Sequence, residues 1–161
     1  MPTFLFLASF AYFVGKFFLF FDDIDFVQTQ SLPLRDLWAF LPIGYLFTIA
    51  IETPVLVLGL SPKVSLKQKL WCGAWLTACT YPIVVLVLPA IFLGQSRALY
   101  LTVAEIFAPV GECGLFWLAF RGKDTLDTWA WVRCFIAIIL ANLASFGLGE
   151  VLNHYQWFGL F

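Results

Sequence analysis

Five runs of apolar residues dominate this chain, at 2–21, 37–60, 70–94, 98–120 and 129–152. Each matches the roughly 20 residues that a helix needs to cross a bilayer core about 30 Å thick. The segments between them, residues 22–36, 61–69, 95–97 and 121–128, are too short to fold as domains of their own. A soluble fold of 161 residues cannot hide so much apolar surface, with 62% hydrophobic and only 12% charged side chains. Mean hydropathy of +0.92 says the same. The expected architecture is therefore an all-α, polytopic membrane bundle of about five transmembrane helices, with residues 1–161 forming a single transmembrane domain. A net charge of −1 leaves no basic stripe for nucleic acid. The first run has no basic residue ahead of its apolar stretch, so it reads as a retained span and not as a cleaved signal.

The loop charges suggest an orientation. Lys63, Lys67 and Lys69 lie in one connection, and Arg121 and Lys123 in another. Five spans put both connections on one side, which the Lys/Arg bias makes cytoplasmic. The N-terminus is then expected in the cytoplasm and the C-terminus outside, in a bacterial inner membrane or a photosynthetic membrane. Trp38, Trp71, Trp117, Trp129, Trp131 and Trp157 fall near span ends, where aromatic belts form, with Trp75 somewhat deeper.

Aspartate is confined to the loops, whereas Glu52, Glu105, Glu112 and Glu150 all lie within apolar runs. An ionisable group in a bilayer must be paired, neutralised or wetted, which makes it a candidate site. Counting about 1.5 Å per residue from the cytoplasmic end of each run suggests two polar layers. Glu52 and Glu112 form an inner one within reach of Arg133; Lys16, Glu105, Asn142 and Tyr81 form a central one. Two bases against three deep acids require at least one glutamate to be neutral. Glu150 sits near the outer surface, where its carboxylate reaches the headgroups. Pro54, Pro82 and Pro109 release the carbonyls of Ala50, Ala78 and Glu105, which could serve as cation ligands. Ala137, Ala141, Ser145 and Gly149 form a small-residue stripe at four-residue spacing, suited to close helix packing within the bundle or against another protein.

Much chemistry is not supported. One histidine, His154, precludes a bis-histidine haem, and there is no Cys-x-x-Cys-His attachment for a c-type haem. Cys72, Cys79, Cys113 and Cys134 lack the paired spacing of a zinc site, so no metal is expected, and the cofactor is unknown, with pigment or lipid the open options. No nucleophile elbow or phosphate-binding glycine loop occurs. The leading expectation is a non-catalytic membrane subunit or accessory factor. Its partners are membrane lipids and other integral membrane proteins or further copies of itself. The alternative is a small proton- or cation-coupled transporter or channel using the glutamates, and the third is an enzyme acting on a lipid.

Overall fold

Helix starts are written locally in the sequence. Ser65 caps the helix that follows the lysine-rich turn: its hydroxyl accepts from Gln68 N–H at 3.4 Å, while the Gln68 side chain accepts from Ser65 N–H at 3.0 Å. Ser96 accepts from Leu99 N–H at 3.2 Å and Asp127 from Ala130 N–H at 2.9 Å, starting the next two helices in the same manner. Gly94, with φ of +82°, supplies the left-handed residue in the tight turn before Ser96.

A computed structural model describes residues 34–122 and 126–154. The protein is all-helical over these residues. Helix α1 is Leu34–Gly59, and α2 is Leu66–Pro82, which continues through a π-helical turn at Ile83–Val87 into the short α3, Leu88–Ile91. Helix α4 is Arg97–Phe120 and α5 is Thr128–His154. Among the described residues, four segments are long and apolar enough to cross a membrane: Leu41–Gly59, Leu66–Ile91, Arg97–Phe120 and Thr128–Leu152. The expected first span, with Lys16, lies outside the described residues, as do Lys123 and Trp157.

The long helices form a ring in the order α1, α2, α4, α5, each packed on two neighbours and without contact across either diagonal. Leu56, Leu60, Leu76, Phe116, Cys134 and Ile138 fill the centre. Phe116 stacks on Phe120 at 4.5 Å and meets Trp131 edge-on at 5.8 Å, so this tryptophan helps close the core. Trp38, Trp71, Trp117 and Trp129 stay on the outside. Lys63 bonds Asp127 at 2.9 Å, which places the two basic turns at the same end of the ring. That bond, with the Ala130 N–H, holds the Asp127 carboxyl below the usual carboxylate range. At the other end Arg97 grips both oxygens of Glu150, at 2.8 and 2.9 Å. Glu150 is thus committed to a neighbouring helix.

Two interior backbone problems are solved by side chains. The end of α1 leaves carbonyls without helical donors. Lys69 Nζ donates to Val57 O at 3.0 Å and Leu60 O at 2.9 Å; Arg133 donates to Gly59 O at 2.8 Å and Leu58 O at 3.3 Å. Two cations from α2 and α5 therefore cover four consecutive carbonyls, at the helix end whose dipole favours positive charge.

The π-helical turn poses the second problem. Leu88 N–H bonds Ile83 O, and the next residue, Pro89, has no N–H to offer Val84 O. The Tyr100 hydroxyl on α4 supplies the donor at 3.1 Å. Tyr100→Phe is expected to lower stability by about 1–3 kcal/mol, read as an earlier thermal transition in detergent, whereas a phenylalanine at the exposed Leu99 leaves it unchanged.

Candidate functional site

Glu52 on α1 and Glu112 on α4 are 2% and 1% exposed, yet neither meets a cation among the described residues. Each takes hydrogen bonds from both helices beside it. Glu52 accepts from Thr77 of α2 at 2.7 Å and from Ser145 of α5 at 2.7 Å. Glu112 accepts from Thr80 of α2 at 2.9 Å and from Asn142 Nδ2 of α5 at 2.8 Å. The two acids occupy one diagonal of the ring and their four donors the other. Six polar residues thereby join helices that do not touch across the centre.

Side-chain direction helps them meet. Each Cα–Cβ bond leans toward its helix N-terminus, and α1 and α4 run opposite to α2 and α5. The acids therefore lean one way along the ring axis and their donors lean the other. Thr77 and Thr80 are three residues apart, which puts both on one face of α2.

The donors differ in what they can do. Asn142 has two amide protons and serves Glu112 and Ile138 O (3.0 Å) together. A hydroxyl has one proton and serves one acceptor at a time. Thr77 Oγ1 lies 2.7 Å from Glu52 and 2.9 Å from Gly73 O; Ser145 Oγ lies 2.7 Å from Glu52 and 2.9 Å from Asn142 O. Thr80 Oγ1 lies 2.9 Å from Glu112 and 3.2 Å from Leu76 O. When a carboxylate is charged, these hydroxyls donate to it. When it is protonated, its O–H can donate to a hydroxyl, which turns its own proton to the backbone. Both charge states fit the same heavy-atom positions.

No family model, curated protein or solved structure matches this chain. The site must therefore be read from its own geometry.

That geometry departs from the two-layer expectation. Asn142, expected in the central layer with Tyr81, bonds Glu112. Arg133, expected beside the glutamates, is spent on the end of α1. The reason is that the helix ends are not level. A Cβ on Gly59 would lie 2.7 Å from Ala137 Cβ, so the end of α1 stands beside the third turn of α5. Depths counted from each run's own end are therefore out by about 10 Å between these helices. Tyr81 instead packs near Tyr45 at 6.2 Å. Glu105 is half-buried and has no hydrogen-bond partner among the described residues. The side-chain donor found at a displaced carbonyl serves Val84, not the three carbonyls proposed as cation ligands.

The stripe on α5 splits into two parts. Ala137 and Ala141 are buried, with Ala137 against Gly59, and Ser145 joins Glu52, so this part is used inside the bundle. A Cβ on Gly149 would meet nothing within 4 Å. Thr77, Thr80 and the capping role of Lys69 were not singled out from sequence. The Thr-x-x-Thr spacing opposite two acids was the available signal. Among the described residues, no three His, Cys, Asp or Glu side chains converge as metal ligands.

Proposed function

We propose that the chain is a non-catalytic integral membrane subunit or accessory factor of a larger membrane assembly. The observation supporting this reading is that both glutamates are bonded to partners within the same ring. The polar residues of the spans serve to lock four helices into one body, and the outer faces are left for apolar association. Leu46, Leu58, Leu93 and Trp129, each at least 65% exposed, belong to that outer surface. The reading places the basic turns in the cytoplasm and the C-terminus outside, in a bacterial inner or photosynthetic membrane. Isolation in mild detergent is expected to give a particle of defined mass larger than one chain. A lone monomer that recruits no other membrane protein would overturn the proposal.

A second reading, a small proton-coupled transporter, is favoured by the paired acceptors of Thr77, Thr80 and Ser145. They let both glutamates exchange protons without rebuilding the site. In liposomes this reading expects a proton flux that is lost in Glu52→Gln and Glu112→Gln, while both variants stay folded with thermal transitions within a few degrees of wild type. Flux unchanged by either substitution would remove it.

A further inference from the structure

We infer that the groove between the end of α1 and the first four turns of α5 binds one anionic phospholipid. The groove has a volume of about 230 Å³ and is lined by Gly59, Trp129, Arg133, Ile136 and Leu140, among others. Its floor is low because Gly59 and Ala137, which carry little or no side chain, meet there. Trp129, Ile136 and Leu140 are 81%, 41% and 53% exposed and form one apolar strip along α5.

The dimensions and charge suit this occupant. From Trp129 to Leu140 is eleven residues, or about 16 Å of helix, close to half of a hydrocarbon core about 30 Å thick. With the phosphate on Arg133, the acyl chain would lie on Ile136 and Leu140 over about the first 10 Å of its leaflet. Arg133 lines the groove one turn in from Trp129 and is exposed. Its Nε and Nη2 hold Gly59 O and Leu58 O, which fixes the guanidinium in place. A guanidinium has five N–H donors, so the rest of the fork is available to phosphate oxygens. Lys63, Lys67 and Arg121 stand exposed at the same end of the ring and add positive potential. A zwitterionic headgroup brings no net negative charge to answer it.

The test uses the full chain in mild detergent, with phosphatidylglycerol and phosphatidylcholine of identical chains supplied in competition. Retained lipid is counted by native mass spectrometry. Wild type is expected to retain one phosphatidylglycerol with about tenfold preference. Arg133→Gln is expected to abolish that preference. Because Arg133 also caps α1, a second variant leaves the cap intact: Ile136→Trp fills the exposed strip and should lower retention of both lipids about tenfold without shifting the thermal transition. Equal retention of the two lipids by wild type would overturn the inference. So would a preference that survives in folded Arg133→Gln, undiminished binding in Ile136→Trp, or a second protein copy occupying the groove in place of lipid.

Discussion

Gly73→Leu is expected to stop the ring from assembling. A Cβ at this position would overlap Thr53 Oγ1 and lie 2.9 Å from Thr53 Cβ and 3.1 Å from Thr53 Cα on α1. A flexible side-chain tip could swing aside, but backbone cannot, so α1 and α2 would have to separate. Thr53 Oγ1 is buried without a hydrogen-bond partner among the described residues. The expected cost is about 3 kcal/mol, the upper part of the overpacking range, read as lost monodispersity on size exclusion and a collapsed thermal transition. Gly73→Ala should already be harmful, and adding Thr53→Gly should recover part of the loss. Gly147→Ala is the control, since a Cβ there meets nothing within 4 Å.

Asn142→Asp should be comparably damaging, and a second substitution should repair it. The change replaces a donor 2.8 Å from Glu112 with another acceptor, so two carboxyl groups would face each other in a buried site. Leaving buried polar groups without a donor costs about 1–3 kcal/mol, and more if a carboxyl is charged. Adding Glu112→Gln exchanges the roles: the glutamine amide donates to the new aspartate, and only the bond from residue 142 to Ile138 O is lost. The double variant is expected to recover most of the wild-type stability. Glu112→Gln alone should cost under about 1 kcal/mol, since interhelical hydrogen bonds in membranes average about 0.6 kcal/mol. Thermal unfolding of the four proteins in one detergent closes the cycle. Additive losses, with no repair in the double variant, would mean that Asn142 and Glu112 do not act as a pair.

The spans were legible because apolar run length is a one-dimensional property. Runs at 37–60, 98–120 and 129–152 lie within a few residues of Leu34–Gly59, Arg97–Phe120 and Thr128–His154. The run at 70–94 begins one turn late, because Leu66 to Lys69 reads as a basic loop yet follows a Ser65 cap. Glu52 and Glu112 were visible as acids in apolar surroundings. Their partners were not, because partnership depends on how far one helix is displaced along another. The Gly59–Ala137 contact sets that displacement, and nothing in either run announces it. Arg133 was misplaced for the same reason. Threonine on an apolar helix is also easily passed over, which hid Thr77 and Thr80. The π-helical turn lies between Pro82 and Pro89; from sequence Pro82 reads as freeing the Ala78 carbonyl, and Pro89 is not singled out.

The ring is also two hairpins, α1–α2 and α4–α5, joined by the turn at Gly94. Neither hairpin contains a complete set of bonds for its own acid. Glu52 finds Thr77 within its hairpin but needs Ser145 from the other; Glu112 finds Asn142 but needs Thr80. Each hairpin taken alone therefore leaves its carboxyl half-satisfied. Each carries the donor that the other lacks. The cluster thus acts as a matching code between the two halves, completed only when they dock in the right register.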